Sequence, residues 1–429
     1  MLHLDGRKLE GGGQLLRISL CLSALTGTPV KIVHIRGNRS GGGGLKAQHL
    51  ACVKWLAAAC GAEVEGAELK SKTLVFKPAG EMDAVSPAYK QRRLLDDSVI
   101  YETRLDIGSP GSIGLALQAV LPFILLSPPQ DGSVVPSLVH LTITGGTNVS
   151  QSPSYDYIEQ VLLPMLEDIG IPPVKFTLDR RGWSTGRAGI GSVTFHIQPL
   201  AFYQPLPAFE LLPPETAEPS SPGVLGKTAS PARIDATLLT HSSALCQKLK
   251  SAVEASVQTR FGEHLKEDTK TLNFRFDATP AASTFYLLLV ATLPHGGKHI
   301  KLGCDCLWEK KVTDIMQKAD QVAKAVTQRL AAEVKSRACV DEHMRNQLVV
   351  FQALAEGRSH IYAGESADGE AREASLHTQT AEWVAAEFLG VEFGNGTGNG
   401  IGYVRARSSS VNEEEDMLVQ KLDRVELEA

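Results

Sequence analysis

The sequence predicts an α/β (α+β) fold, a large domain of three repeated α/β units with a smaller α/β domain inserted into it. Three observations predict it. Turns rich in small residues open apolar helices at "LEGGGQLLR" and "DIGSPGSIGLALQAV", a further turn opens one at "ASLHTQTAEW", and each helix keeps company with short strand-like runs. A stretch rich in Pro, Ser and Glu, "PLPAFELLPPETAEPSSPGVLGKTASPA" (205 to 232), separates the second unit from the later elements. The chain has 429 residues, of which 43% are hydrophobic and 21% charged, so it can bury an ample core. No apolar run approaches the roughly 20 residues of a membrane-spanning helix.

The elements come in order. Leu15, Ile18, Leu22 and Leu25 recur at helical spacing, which predicts a helix over 14 to 26 stopped by Gly27. "VKIVHIR" reads as a strand, "RGNRSGGGG" as a mobile loop, "LKAQHLACVKWLAAACG" as a second helix ended by Gly61, and "KTLVFKP" as another strand. The pattern returns in "LDIGSPGSIGLALQAVLPFILLS" (105 to 127), the strand "LVHLTITGG" and the helix "SYDYIEQVLLPMLEDIG". A third copy runs through the helix "VDEHMRNQLVVFQALAEG", the short strand "SHIYAG" and the helix in "ASLHTQTAEWVAAEFLG".

The 205 to 232 stretch reads as a solvated, partly disordered connection. Beyond it we expect a long helical stretch from about 233 to 262, strands in "KTLNFRFDA", "TFYLLLVATLP" and "HIKLGCDCL", and a helix from about 308 to 335. The expected boundaries are 1 to 204 for the first part of the large domain, 205 to 338 for linker and insert, 339 to 410 for the last part, and 411 to 429 for an exposed acidic tail.

Composition narrows the function classes. The net charge of −5 does not mark a nucleic-acid binder, so any polyanion site must be a local basic patch. The start "MLHLDGRKLE" lacks the basic and apolar parts of a secretory signal, and seven scattered cysteines form no disulfide framework, so an intracellular compartment is expected. His295, His299, Cys304 and Cys306 cluster in "HGGKHIKLGCDC", but the usual zinc spacing is absent and both thiols can simply share one face of a strand.

Two glycine-rich helix entrances carry the chemistry. Amides at a helix start lack intrahelical partners and carry part of the positive end of the helix dipole. The run after Glu10 can therefore let a phosphate sit on the amides beside Gln14 and Arg17, with a divalent cation such as Mg²⁺ bridging Glu10 to the phosphate. It can equally be a tight turn that needs glycine only for positive φ. The loop "HIRGNRSGGGGLKAQH" brings Arg36, Arg39, Lys46, Gln48 and His49 to the second entrance, as a polyanion site or as a flexible loop. No Walker loop occurs, and "GRAGIGS" lacks the helix of a dinucleotide fold. His377 precedes an apolar stripe, with Thr378 and Thr380 able to cap the helix. There it is a surface or capping residue, or a neutral imidazole able to attack phosphorus.

Together, "LDGRKLEGGGQLLR", "IRGNRSGGGGLKAQHL", "GLALQAVLPF", "GGTNVSQSPSYDYIEQVLLPMLEDIG", "NQLVVFQALA" and "LHTQTAEWVAAEFLG" resemble the RNA 3′-terminal phosphate cyclase family over nearly all the chain outside the linkers. The resemblance implies a ligase-type enzyme using ATP and Mg²⁺ or another divalent cation. Its histidine takes AMP from ATP and passes it to an RNA 3′-phosphate, which the 2′-hydroxyl then attacks to give a 2′,3′-cyclic phosphate. His377 matches the nucleophile and Glu10 the metal-associated acid. Arg17, Arg36, Arg39, Gln48 and Gln118 fall on positions lining nucleotide or RNA phosphates, with Gln14, His343 and Asn346 beside them. His343 and Asn346 stand where the family usually has tyrosine and aspartate, and "STGRAGIGS" replaces a glycine run. The resemblance also favours a nuclear protein over a cytoplasmic one, with no membrane and no obligate protein partner. Two other readings remain, a non-catalytic nucleolar relative in ribosomal RNA processing, which lacks the histidine, and an enolpyruvyl transferase built from similar units.

Overall fold

The computed structural model of the chain describes residues 1–79, 86–95, 98–129, 135–184, 189–213, 231–262, 272–295, 298–366 and 368–404. The expected acidic tail, residues 214–230 of the connection and residues 185–188 of "STGRAGIGS" lie outside the described residues.

The first unit holds β1 (Leu2–Asp5), α1 (Gln14–Thr26), β2 (Val30–Val33), α2 (Ala47–Cys60), β3 (Glu63–Glu65) and β4 (Leu74–Lys77), its sheet ordered β1-β2-β4-β3. Gly27 and Gly61 end the two helices in the left-handed region, at φ 69° and 66°, where a Cβ would be strained. "VKIVHIR" is strand only through Val33, because His34 and Arg36 turn the backbone to φ 49° and 56°.

The second unit holds β5 (Lys90–Arg93), β6 (Val99–Asp106), α3 (Ile113–Leu126), β7 (Leu138–Gly145), α4 (Tyr155–Tyr157), a π-helical turn (Ile158–Leu162), α5 (Leu163–Asp168), β8 (Lys175–Arg180) and β9 (Gly191–Ile197). Its strands run β5-β6-β7-β9-β8, with β6 and β7 parallel across α3. Pro122 within α3 removes the amide that would bond the Gln118 carbonyl.

β10 (Glu210–Leu211) lies in the stretch expected to be a solvated connection, and there the expectation is corrected. Leu206 and Phe209 are buried, and the Phe209 amide donates to Ser359 Oγ at 3.2 Å. Three apolar side chains within six residues give this segment enough to bury.

The inserted unit comprises β11 (Arg233–Thr240), α6 (Ser243–Phe261), β12 (Leu272–Ala278), β13 (Phe285–His295), β14 (Lys298–Trp308) and α7 (Ile315–Lys335), with strand order β12-β11-β13-β14. Two helix boundaries need correction. Residues 233 to 240 are a central strand between β12 and β13, and the helix begins only after Ser242, whose Oγ accepts from the Leu245 amide at 3.3 Å. The helix expected from 308 starts at Ile315, where Asp314 Oδ1 accepts the Met316 and Gln317 amides, each at 2.9 Å.

The last unit holds α8 (Glu342–Leu354), β15 (Glu356–Ile361), α9 (Leu376–Leu389), β16 (Phe393–Gly394) and β17 (Thr397–Ile401), in a sheet ordered β10-β15-β17-β16. Asp341 joins it to the insert. Its Oδ1 accepts from Tyr157 Oη (2.7 Å) and from the Met344 amide (2.9 Å), capping α8, while its Oδ2 accepts the Gly303 amide of β14 (2.8 Å).

At the centre α1 packs on α2, α3 and α9, and α8 packs on α3 and α9. Every residue of α1 from Gln14 to Leu25 is buried. A helix buried all round is normally apolar, each fully buried Leu or Ile contributing about 1.5–3 kcal/mol. Gln14 and Arg17 in such a helix therefore require a role beyond packing. Among the described residues no helix is long and apolar enough to cross a membrane.

Candidate active site where α1, α3, α8 and α9 meet

The glycine run opens α1 without blocking it. Gly11 sits at φ 62°, Gly13 is the first half-helical residue, and no side chain caps the helix or puts an acid in its first turn. A Cβ on Gly13 would lie 2.8 Å from both Arg17 Nη1 and His49 Nε2, and one on Gly12 would strike the Glu10 carboxylate. Gly11 thus serves the turn, whereas Gly12 and Gly13 make room for the polar side chains folded over the helix end.

Glu10 is tied to that end and to α9. Its Oε2 accepts the Gly12 amide at 2.8 Å and its Oε1 pairs with Arg39 Nη2. Its own amide donates to Thr380 Oγ1 at 3.2 Å, and that hydroxyl donates in turn to the Leu376 carbonyl at 2.7 Å. The first turn of α9, which carries His377, is therefore held against Glu10. The cap is Ser375, not Thr378 or Thr380 as the sequence suggested, because Ser375 Oγ accepts the Thr378 amide (3.3 Å) while both threonines are buried. The "S-L-H-T" spacing was a signal for it.

His377 is exposed at the second position of α9. Burial of part of its ring lowers its pKa below the ordinary 6.5; Glu10 opposes this, and Arg17, Arg39 and His343 reinforce it. The imidazole is therefore neutral at pH 7, with a free lone pair.

Beneath it lies a buried polar cluster. Arg17 Nε donates to Gln118 Oε1 at 2.8 Å and Nη2 to Gln14 Oε1 at 2.7 Å. Gln14 Nε2 donates to Asn346 Oδ1 at 3.3 Å, and the amides of Gln118 and Gln347 point to the same oxygen at 3.5 and 3.4 Å. Arg17 is only 6% exposed and has no ion pair among the described residues. Burial lowers its pKa to about 10, with Glu10 acting in the opposite direction, so it stays charged at neutral pH. A buried guanidinium held by amides and without a carboxylate leaves an anion to be supplied from outside.

The second entrance surrounds the same point. Arg36 is buried, with Nη1 donating to the Gly44 carbonyl at 3.2 Å, and Gln48 Oε1 accepts the Ser112 amide that begins α3 at 3.0 Å. His49 Nδ1 accepts the Lys46 amide at 3.2 Å, and burial together with Arg17, Arg36 and Lys46 lowers its pKa to about 3. His343 and Asn346 part company despite their helical spacing. Asn346 is buried in the cluster, whereas His343 is exposed and edge-on to Tyr157, its ring centroid 6.2 Å away.

His377, Glu10, Arg17, Arg39, Gln14, Gln118 and Asn346 thus come together, with Arg36 and Gln48 beside them and His343 at the rim. Gln347 belongs to the same site and was not singled out by sequence, while Thr380, expected only as a cap, belongs to it as the acceptor of the Glu10 amide. Among the described residues no group of three or more His, Cys, Asp or Glu is placed to hold a metal ion, at "HGGKHIKLGCDC" or elsewhere. Both oxygens of Glu10 are already engaged, one by the Gly12 amide and one by Arg39.

Comparison with known proteins agrees with this architecture. A family model described as RNA 3′-terminal phosphate cyclase matches residues 8–394. The RNA 3′-terminal phosphate cyclase of Pyrococcus furiosus is 32% identical over 393 residues, covering 92% of this chain and 94% of that protein. Those of Methanosarcina mazei and Nitrosospira multiformis are each 30% identical, covering 92% of this chain and 96% and 93% of theirs. With the match running from the glycine turn at α1 through the histidine-bearing α9, the chain belongs to the RNA 3′-terminal phosphate cyclase family.

Proposed function

We propose that this protein is an ATP-dependent RNA 3′-terminal phosphate cyclase working through AMP carried on His377. The observation that carries the reading is an exposed imidazole in the first turn of α9, a turn held against Glu10, beside a buried Arg17 that has no carboxylate partner among the described residues. An imidazole nitrogen attacks the α-phosphorus of ATP, forming an N–P bond as the bond to the pyrophosphate oxygen breaks. AMP then passes to a 3′-phosphate oxygen of the RNA, freeing the histidine. The 2′-hydroxyl attacks the activated phosphorus, loses its proton and expels AMP, leaving the cyclic phosphate.

Arg17 is the fixed charge for the phosphates, and Gln14, Gln118 and Asn346 hold it in place. Arg36, Arg39 and Gln48 receive the RNA end, with His343 at the entrance. A divalent cation on Glu10 would neutralise phosphate charge. Incubating the protein with a 3′-phosphorylated RNA, with and without ATP, tests the reading. Cyclic phosphate should form only with ATP, and its absence under both conditions would reject the assignment in favour of a non-catalytic relative.

Two substitutions probe the site. Glu10→Gln should raise the Mg²⁺ concentration needed for half-maximal adenylylation by about tenfold, the scale of one lost charged contact, while RNA binding changes little. An unchanged metal response would return Glu10 to a structural role in the turn. Asn346→Asp should raise single-turnover adenylylation about tenfold, because three amide donors already converge on Oδ1 and a carboxylate there accepts them as charge-assisted bonds that orient the glutamines holding Arg17. A slower variant would mean that neutralising Arg17 costs more than orienting it gains.

A further inference from the structure

A groove of about 780 Å³ lies between α2 and one edge of β6, outside the residues assigned above. β5 pairs with β6 only as far as Lys90 opposite Glu102, so from Thr103 to Asp106 the strand has β7 on one side and the groove on the other. The floor is firmly built. Trp55 Nε1 donates to Thr103 Oγ1 at 2.9 Å, Thr103 Oγ1 donates to the Ala88 carbonyl at 2.7 Å, and the Trp55 ring stands edge-on to Tyr89 and Phe123.

One end of the groove reaches the site. Ala51, Lys54 and Ala58 line it from a single face of α2, and Gln48 lies one turn earlier on that helix. On the opposite wall Asp106 leads into the loop that ends at Ser112, whose amide Gln48 accepts. From Gln48 to Ala58 the helix runs about 15 Å.

The charges favour a polyanion. Lys54, Lys90 and Arg104 line the groove, are exposed, and have no ion pair among the described residues. Its two carboxylates are already engaged. Glu102 accepts from Arg92 at 2.7 Å, and Asp106 accepts from the Thr144 hydroxyl at 2.6 Å and the Gly108 amide at 2.9 Å.

We propose that this groove seats the RNA strand immediately 5′ of the reacting phosphate, with its phosphodiesters on Lys54 and Arg104. The proposal rests on the cyclase reading, which puts the RNA end at Gln48. At 3.4 Å per stacked nucleotide the groove spans about four nucleotides. The alanines of α2 leave space for bases and sugars, and Thr142, whose hydroxyl bonds Thr194 at 3.1 Å while Thr194 donates to Asp179, keeps acceptor capacity for a 2′-hydroxyl beside His140.

The test compares the full chain with a Lys54→Ala/Arg104→Ala variant, both positions being exposed. Binding is measured for a 3′-phosphorylated RNA of about ten nucleotides and for adenosine 3′-monophosphate, which is confined to the reaction site. The variant should bind the longer RNA about tenfold more weakly, with the slope of log affinity against log salt reduced by about 1.4 for two lost single-strand contacts. Binding of adenosine 3′-monophosphate, and the cyclisation rate at saturating long RNA, should not change. Unchanged affinity and slope for the long RNA would overturn the proposal and leave the β6 edge to a protein strand. Equal weakening of both ligands would also overturn it, by placing these residues at the reaction site. Failure of the wild-type protein to cyclise any RNA would reject the cyclase reading alone, since the binding measurements still decide the groove.

Discussion

His377→Ala is expected to reduce formation of covalent protein–AMP by more than about a thousandfold, the scale of losing a nucleophile rather than a binding contact. The fold should survive, because His377 is exposed and α9 is capped by Ser375. Circular dichroism and thermal melting check that survival, and single-turnover labelling with α-labelled ATP measures the loss. The pH dependence carries a sign. Since burial lowers the imidazole pKa from its ordinary 6.5, the neutral form predominates at pH 7, and the labelling rate should fall as the pH drops and protonation removes the lone pair. A folded His377→Ala variant that still labels would remove His377 from the mechanism.

Arg17→Ala carries the second largest effect. Its loss leaves Gln14 Oε1 and Gln118 Oε1 without donors, opens a void in a buried helix, and removes the charge that answers the ATP phosphates. A preorganised donor at developing charge contributes about 3–4 kcal/mol, so adenylylation should fall by a factor of several hundred to a thousand. Stability should fall by about 2 kcal/mol, from the two acceptors left unpaired. Arg17→Lys separates the two consequences, because it keeps the charge but cannot reach both glutamines with a fork. If Lys restored stability without rate, geometry would matter more than charge; wild-type labelling by a folded Arg17→Ala protein would show that the phosphates bind elsewhere.

Glycines made the centre of the fold legible. α1 and α2 run as their periodicity predicts because Gly27 and Gly61 are the residues able to take the left-handed turn that ends each helix. The strand at 233 to 240 was hidden for a physical reason. "RIDATLLT" is covered by strands on both edges and buried from Ala236 onward, so it shows the continuous apolar run of a buried helix. Only Thr237, Thr240 and the capping Ser242 hinted at the break.

The site divides in the same way. Glu10, Arg17 and His377 could be singled out because their chemistry is local, an acid and a base at helix entrances. The contacts that join them to Gln14, Gln118 and Asn346 could not. Gln14 meets Asn346 across 332 positions and Glu10 meets Thr380 across 370, and no spacing rule anticipates either pair. Nor did sequence foresee that Arg39 would lie on Glu10 or that Arg17 would have no carboxylate of its own among the described residues.

The central claim is that His377 carries AMP, and locating the adduct tests it most directly. The wild-type protein is incubated with α-labelled ATP and Mg²⁺, digested under neutral conditions, and its labelled peptide sequenced by mass spectrometry. The account predicts one acid-labile AMP per chain, on the peptide containing "SLHTQT", with the label discharged when a 3′-phosphorylated RNA is added. AMP on any other residue, or RNA cyclisation proceeding with no protein adduct at all, would contradict it.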